Sequence, residues 1–218
     1  MHTYPENPLA AEVARIIDAT PVVPVLTFTD EARAVAVAGA LVAGGLAVLE
    51  VTLRTEAALR AVRAIAAAVP GAVLGVGTVL DPSQLEEARD AGARFAVSPG
   101  SMPRLLDAAD ALGFPFLPGA ATASEVMALL DRGYTRQKLF PAEPAGGMPL
   151  LKSLAEPLPQ ARFCPTGGIN ASTAAAYLAL PNVVCVGGSW VTPKDAVTDG
   201  DVARIESLAR AACELRKG

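Results

Sequence analysis

Lys138 and Glu50 are the residues of this chain whose positions call for a chemical explanation. Lys138 opens the apolar stretch "KLFPA". If that stretch is a strand in a globular domain, a buried ammonium is costly unless it is paired or loses its proton. A second run, "LEVTLR", carries Glu50 and Arg54. Together the three side chains could transfer protons and bind an anion, as in a catalytic site, or they could form a structural ion network.

The elements that would position these residues follow a regular alternation. Eight short runs rich in β-branched residues alternate with amphipathic stretches rich in alanine and leucine, and the runs begin at residues 22, 48, 73, 95, 115, 138, 162 and 183. Strand–helix alternation at this spacing predicts parallel strands with right-handed crossovers. Eight such units favour an α/β fold of the closed (β/α)8 TIM barrel type. A doubly wound open sheet is the alternative.

The amino-terminal stretch "AAEVARIIDAT" precedes the first strand and predicts an extra helix, over residues 9–20, that caps the bottom of the barrel. No composition shift or Ser/Gly/Pro linker divides the chain. We therefore predict a single domain over residues 1–218.

Composition excludes several classes of protein. The net charge of −4, the pI near 5.1 and the lack of a basic tract argue against a nucleic-acid partner. Three cysteines without CxxC spacing argue against a disulfide scaffold or zinc site and favour the cytoplasm. No signal peptide or membrane-spanning run is present, so no membrane association is expected. The low charged fraction, 18%, is typical of an oligomer or of an alanine-rich core.

In a barrel, the residues at the carboxyl ends of the strands meet at one mouth, where active sites lie. Besides Lys138, Glu50 and Arg54, the strand ends carry these polar, proline, aromatic and glycine residues: Thr78, Ser98, Pro99, Gly119, Phe140, Glu143, Thr166, Gly167, Gly168, Gly187, Gly188 and Ser189. Because no strand of a closed barrel is an edge, we expect these groups to converge, which favours a catalytic site.

Two glycine-rich turns follow the last two strands, "PTGGIN" and "VGGSW". Backbone N–H groups at such turns can face an anion, and the loops after strands seven and eight are the usual phosphate position in a barrel. Neither turn has the GxGxxG or Walker pattern, so a nucleotide is not expected. The glycines could instead only permit tight turns.

These motifs resemble a known family. "EVTLRT", "KLFPAE", "FCPTGG" and "VGGSW", with "VGTVLDPSQL" and "FAVSPG" between them, are together similar to the 2-keto-3-deoxy-6-phosphogluconate (KDPG) aldolase and 4-hydroxy-2-oxoglutarate aldolase family. The similarity runs through residues 21–193. It implies a cytoplasmic homotrimer of TIM barrels that needs no metal or cofactor.

The resemblance also implies an activity. The enzyme would be a class I, Schiff-base lyase of the Entner–Doudoroff pathway that cleaves a phosphorylated keto acid, KDPG, to pyruvate and glyceraldehyde 3-phosphate. Lys138 would form the Schiff base as a neutral amine, favoured by desolvation and by a cation such as Arg54. Glu50 would be the general acid/base.

The same resemblance assigns substrate-binding roles to the remaining residues. Arg54 and Thr78 would bind the pyruvyl carboxylate, and Pro99 and Phe140 would form walls of the pocket. Thr166 would hydrogen-bond the substrate, and the phosphate would lie on Gly167, Gly168, Gly188 and Ser189.

Two departures from the family pattern, Leu139 after the lysine and the sequence "PGAATASE", leave the reaction type intact but the substrate preference open. The galactonate epimer and 4-hydroxy-2-oxoglutarate are alternatives. A different phosphate-binding barrel enzyme, such as an epimerase or a thiamine-phosphate-type synthase, and a non-catalytic phosphosugar-binding module are also compatible with the motifs. The sequence offers few ligands for a metal-dependent reaction, because the only histidine is His2.

Overall fold

The apolar runs form parallel strands, and the amphipathic stretches between them form helices. The computed structural model describes residues 7–216; His2 lies outside them. The strands are β1 Val22–Leu26, β2 Val48–Thr52, β3 Val73–Gly77, β4 Phe95–Val97, β5 Phe116–Leu117, β6 Gly119–Ala120, β7 Arg136–Leu139, β8 Arg162–Pro165 and β9 Val186–Gly188. The helices are α1 Pro8–Ile17, α2 Glu31–Ala43, α3 Ala58–Ala68, α4 Ser83–Asp90, α5 Pro103–Leu112, α6 Ala123–Asp131, α7 Gly147–Ala155, α8 Ala171–Leu178, α9 Lys194–Asp199 and α10 Val202–Cys213, followed by a 3-10 turn, Glu214–Arg216.

The strands close into a ring. One sheet has the order β5-β4-β3-β2-β1-β9 and a second has the order β6-β7-β8. Only Pro118 separates β5 from β6; it has no N–H to donate, but its carbonyl accepts a 2.8 Å bond from the backbone of Lys138. Parallel bridges from Phe163 to Val183 and from Thr166 to Gly187 join β8 to β9. The predicted (β/α)8 barrel is confirmed, and the doubly wound sheet is wrong.

Side chains alternate between the barrel interior and the surrounding helices, as the period of a strand requires. In β2, Leu49 and Val51 pack in the larger apolar cluster with the helices, whereas Val48 packs in a smaller cluster shared by several strands. Glu50 lies between Leu49 and Val51 and is buried. The alternation therefore places Glu50 inside the barrel, on the same side as Val48.

Helix α1 packs against the end of the barrel where the strands begin. Its Val13 and Ile17 are fully buried and join the inner cluster that contains Val23 of β1. At the helix end, Asp18 accepts a 2.6 Å bond from Arg136, the first residue of β7. The role of this helix as a cap and the single domain over residues 1–218 stay predictions, which the packing of Val13 and Ile17 supports.

Three strand starts differ from the sequence-based expectation: the fifth predicted run starts at Phe116 rather than at residue 115, the eighth starts at Val186 rather than at residue 183, and the sixth starts earlier than predicted. The sixth predicted run starts at Arg136 rather than Lys138. The strand can include the buried polar residue Gln137 because its side-chain amide donates to the carbonyls of Val126 and Tyr134 at 3.2 and 3.0 Å. Helix α3 begins at Ala58, and the Thr55 hydroxyl before it donates to the carbonyl of Phe28 at 2.5 Å instead of capping the helix.

Two features of the whole described region bear on membranes and metals. Within residues 7–216, no helix is both long enough and apolar enough to cross a bilayer. The same residues contain no group of three or more His, Cys, Asp or Glu side chains placed to hold a metal ion.

Candidate active site

Lys138 and Glu50 form an ion pair inside the barrel, although they are 88 residues apart in the chain. Lys138 Nζ donates to Glu50 Oε1 at 2.9 Å and to Oε2 at 3.2 Å, and the two side chains are only 6% and 4% exposed. The Lys138 Nζ also lies 5.5 Å from the centre of the Phe140 ring, within cation–π range. A buried charge pair with this geometry can exchange a proton directly, since the separation is that of a general base and its donor.

A glycine on the neighbouring strand makes room for the carboxylate. A Cβ on Gly77 of β3 would lie 2.1 Å from Glu50 Oε1, closer than non-bonded atoms can approach. Two residues earlier on the same strand, a Cβ on Gly75 would lie 2.3 Å from the Phe95 ring. Gly77 therefore permits the position of Glu50, and Gly75 permits an aromatic ring below it.

Arg54 and Thr78 follow β2 and β3 and are bonded to each other. Arg54 Nε donates to Thr78 Oγ1 at 3.2 Å. Thr78 has φ +61°, the only positive φ of a non-glycine residue among the described residues. A β-branched residue in the left-handed region is strained, and such strain is concentrated at binding and catalytic sites. The pair is thus a candidate site for a carboxylate.

A cavity of about 630 Å³ lies at the carboxyl ends of β1, β8 and β9. Among the residues that line it are seven of the predicted site residues: Arg54, Phe140, Thr166, Gly167, Gly168, Gly188 and Ser189. Lys138 and Glu50 are buried and do not line the cavity. Phe140 links the cavity to the pair, because it lines the cavity and its ring centre lies 5.5 Å from the Lys138 amine. Thr78 and Pro99 do not line it either, but Thr78 is bonded to Arg54, which does.

The two glycine-rich turns border this cavity as predicted. Gly167 and Gly168 have φ +105° and +87°, which an L side chain rarely adopts. A Cβ on Gly187 would lie 2.1 Å from Thr166 Oγ1, so this glycine leaves space for the Thr166 hydroxyl inside the barrel. A Cβ on Gly188 would meet the Trp190 ring at 1.8 Å, which shows that the indole covers this turn.

Pro99 lies after β4, at the edge of the site furthest from the glycine turns. Its carbonyl oxygen would be 2.3 Å from a Cβ on Gly119, so the backbones after β4 and β5 are in close contact. Pro99 is half-buried. Its predicted role as a wall of the substrate pocket stays a prediction.

The loop after β1 also contributes to the cavity, although none of its residues was predicted from the sequence. Thr27, Thr29 and Arg33 from this loop and the start of α2 line the cavity, as does Lys194 at the start of α9. Neither Arg33 nor Lys194 forms an ion pair with any residue in 7–216. The signal was present, because "TFTDEAR" follows the first strand just as the selected residues follow the other seven.

Comparison with known proteins assigns the chain to a family. Residues 13–208 match the model described as KDPG and KHG aldolase. A relative from Pseudoalteromonas atlantica, named 2-dehydro-3-deoxy-phosphogluconate aldolase, is 53% identical over 192 residues, which cover 88% of this chain and 89% of the relative.

Two solved structures share the fold with a TM-score of 0.88 each. The KDPG aldolase of Zymomonas mobilis, solved with 3-phosphoglycerate, is 50% identical and covers 94% of this chain and 96% of its own. The KDPG aldolase of Legionella pneumophila, solved with pyruvate as a covalent carbinolamine, is 44% identical and covers 91% and 96%. The chain therefore belongs to the KDPG and KHG aldolase family.

Proposed function

We propose that this protein is a class I aldolase that cleaves KDPG reversibly to pyruvate and glyceraldehyde 3-phosphate through a Schiff base on Lys138. The observation that carries the proposal is the Lys138–Glu50 pair, a primary amine and a carboxylate 2.9 Å apart inside the barrel and linked by Phe140 to a cavity bordered by two glycine-rich turns. Covalent capture of pyruvate by the Legionella relative supports it. The pair supplies both a nucleophile and a group that accepts its proton.

The first half of the reaction forms the Schiff base. Glu50 takes a proton from the Lys138 ammonium, and the neutral amine adds to the C2 ketone to give a carbinolamine. Loss of the C2 oxygen as water, with a proton returned by Glu50, leaves an iminium. The iminium carbon can then accept an electron pair, which the ketone accepts less readily.

The second half breaks a carbon–carbon bond. Glu50, through a water molecule, removes the proton of the C4 hydroxyl, and the C3–C4 bond breaks as its electron pair moves to the iminium nitrogen. Glyceraldehyde 3-phosphate leaves with the new carbonyl at C4, and the enamine of pyruvate remains on Lys138. Protonation at C3 and addition of water release pyruvate and restore the amine.

The remaining predicted residues would bind the two ends of the substrate. Arg54 and Thr78, bonded at 3.2 Å, would hold the pyruvyl carboxylate, with the guanidinium bidentate. Phe140 and Pro99 would flank the reacting carbons, and Thr166 would bond a substrate oxygen.

The phosphate would lie on Gly167, Gly168, Gly188 and Ser189 at the far side of the cavity. Positive charge from Arg33 and Lys194, which line the cavity, supports an anionic group at this end.

The test is reduction by borohydride in the presence of pyruvate, followed by intact mass and peptide mapping. We expect a reduced pyruvyl adduct on the peptide that contains Lys138. Lys138→Ala and Lys138→Arg should both abolish the adduct, whereas Lys152→Ala, at an exposed lysine of α7, should retain it. Folded wild-type protein that forms no adduct would favour a phosphate-binding barrel enzyme with a different reaction, or a non-catalytic phosphosugar-binding module.

Substrate preference within the family needs a separate measurement. The family description includes both KDPG and KHG aldolases, and the galactonate epimer differs in one hydroxyl configuration. We propose KDPG because both glycine-rich turns and Ser189 border the cavity. Measured kcat/KM values for KDPG, its galactonate epimer and 4-hydroxy-2-oxoglutarate will identify the preferred substrate. A preference for 4-hydroxy-2-oxoglutarate, which has no phosphate, would contradict a phosphate site.

We also propose that the protein is a metal-independent homotrimer of the cytoplasm. A charged fraction of 18% supports burial of part of the surface between subunits, as do four exposed large apolar side chains within residues 7–216, namely Leu80, Met102, Met127 and Val202. Light scattering should give a mass three times that of the 22.2 kDa chain. Full activity after dialysis against EDTA would support a reaction without metal.

A further inference from the structure

Glu143 ends the motif "KLFPAE" and has no role in the mechanism above. It lies four residues beyond the end of β7, the strand that carries Lys138. The backbone around it is bonded to the neighbouring glycine turn, because Ala142 N–H donates to the carbonyl of Thr166 at 2.8 Å and Glu143 N–H donates to that of Gly167 at 3.0 Å. Backbone hydrogen bonds therefore join the segment after β7, the strand of Lys138, directly to the turn at Gly167 and Gly168, which we call the phosphate turn because the proposed phosphate position lies there.

The side chain of Glu143 packs on the same turn. A Cβ on Gly168 would lie 2.5 Å from Glu143 Cγ and 2.7 Å from its Cβ, so the glutamate occupies the space beside Gly168. Gly168 itself lines the cavity. A movement of the Glu143 side chain closer to Gly168 would therefore displace the phosphate turn, whose N–H groups are proposed to face the phosphate.

Tyr177 holds the carboxylate in this position. It is a residue of α8, the helix that follows the turn, and it is fully buried. Its hydroxyl donates to Glu143 Oε1, and Gly147 leaves room for that hydroxyl, since a Cβ there would lie 2.9 Å from it. Burial first, and then the hydrogen bond to Glu143, raise the pKa of Tyr177 above its ordinary value, which keeps the hydroxyl a donor.

We infer that Glu143 is a positioning residue for the phosphate turn, and that Tyr177, bonded to its carboxylate, holds the Cβ and Cγ of Glu143 against Gly168. The inference rests on the proposed function and refines it: the two residues set where the phosphate is held relative to Lys138. If the fold fixes the distance between the Lys138 amine and the bound phosphate, the substrate ketone is already oriented toward the amine when it binds. The entropy of positioning is then not lost again at the chemical step. Neither residue touches the reacting atoms.

The test uses three variants and a matched control. Tyr177→Phe removes only the hydroxyl, Glu143→Gln keeps an acceptor for it, and Glu143→Ala also removes the contact with Gly168. Tyr134→Phe is the control, because Tyr134 is another fully buried tyrosine whose hydroxyl donates to a carboxylate, Asp110 at 2.7 Å, away from the cavity. All four are first shown to be folded.

Three measurements separate positioning from general stability. The first is KM and kcat with the phosphorylated keto acid and with the same acid lacking phosphate. The second is binding of inorganic phosphate, followed by the fluorescence of Trp190, the single tryptophan, which covers the Gly188 turn. The third is the rate of borohydride trapping of pyruvate, which has no phosphate.

For Tyr177→Phe we expect KM for the phosphorylated acid and the Kd for phosphate to rise about 5- to 10-fold, in line with the loss of a bond to a charged group. Glu143→Ala should show a larger rise and Glu143→Gln a smaller one. Pyruvate trapping and kinetics with the unphosphorylated acid should stay within about twofold of wild type, as should all values for Tyr134→Phe.

Two results would overturn the inference: phosphate affinity unchanged in Tyr177→Phe and Glu143→Ala, or equal losses with phosphorylated and unphosphorylated acids. Failure of the proposed function is a different result, because wild type would then form no pyruvate adduct. Phosphate binding measured through Trp190 does not require catalysis, so it judges the role of Glu143 in that case as well.

Discussion

At the residue scale, the site depends on one buried pair of opposite charges. Lys138 and Glu50 are both buried, so each charge would be costly alone. Their mutual bonds satisfy both charges and so offset the cost of burying them. The proposed mechanism uses the same pair as nucleophile and base. The position of Lys138 in an apolar strand thus has a chemical explanation.

Replacing Glu50 by Gln tests its role as the acid/base. The variant keeps the shape of the side chain but cannot accept a proton, so we expect kcat for KDPG cleavage to fall about 10²- to 10⁴-fold. Steady-state assays measure this, with Glu31→Gln, an exposed glutamate paired with Arg60, as the control. Activity within about threefold of wild type would assign the proton transfers to another group.

Gly77 and Gly75 provide a paired test on one strand. Gly77→Ala would displace the Glu50 carboxylate, so we expect kcat to fall at least about tenfold in protein that remains folded. Gly75→Ala would instead press on the Phe95 ring and lower the free energy of unfolding by about 1–3 kcal/mol with little change in kcat. Urea unfolding and steady-state kinetics of both variants measure these two effects. A loss of kcat in Gly75→Ala and a loss of stability alone in Gly77→Ala would contradict the role given to Gly77.

At the element scale, helix ends position the loops around the mouth of the barrel. Helix α6 begins with a capping box: Thr122 accepts from the Glu125 backbone N–H, and the Glu125 carboxylate accepts from the Ala121 and Thr122 N–H groups at 2.8 and 2.9 Å. Helix α6 follows β6, which pairs with β7, the strand that carries Lys138. The cap therefore holds the chain where it leaves β6.

The capping box predicts a dependence of stability on pH. The bond from the Ala121 N–H, as the main cause, lowers the pKa of Glu125 below its ordinary value of 4.5. A lowered pKa stabilises the folded state above pH 4.5, and this contribution disappears as the pH falls through the lowered value. Glu125→Gln should therefore be less stable than wild type near pH 7, and the difference should shrink toward about pH 3.

Urea unfolding of both proteins across that pH range measures the difference, with Glu206→Gln, at a half-buried glutamate paired with Arg210, as the control. A gap that widens in acid would show that the carboxylate is not stabilised by the cap. Thr122→Ala, which removes the other half of the box, should cost about 1 kcal/mol.

At the scale of the whole molecule, the two ends of the barrel have separate tasks. The end where the strands begin is filled by apolar side chains, with Val13 and Ile17 of α1 packed among them. The opposite end carries the polar site. Because apolar packing at one end supplies stability, the other end is free for charged and strained residues such as Thr78.

Truncation of Ile17 tests this division. Ile17→Ala removes a fully buried side chain, so we expect the free energy of unfolding to fall by about 2–4 kcal/mol while KM stays unchanged. Ile16→Ala, at a partly buried neighbour in the same helix, should cost clearly less. A large change in KM for Ile17→Ala would show that the two ends are coupled.

The sequence by itself determined the barrel and the identity of most residues at its mouth. Hydrophobic periodicity is a local property, so the alternation of strands and helices could be recognised without contacts. Once eight parallel strands are inferred, topology places all their carboxyl ends together, which selected Lys138, Glu50 and the glycine turns. The same reasoning applied to the first strand would have added Arg33.

Only the tertiary structure decided how those residues meet. The 2.9 Å contact of Lys138 with Glu50 depends on the register between strands that are not neighbours, and a slip of one residue would turn either side chain outward. Two further contacts likewise join distant parts of the chain: the space that Gly77 leaves for Glu50, and the bond from Tyr177 to Glu143. Such contacts depend on packing in three dimensions, which no local pattern specifies.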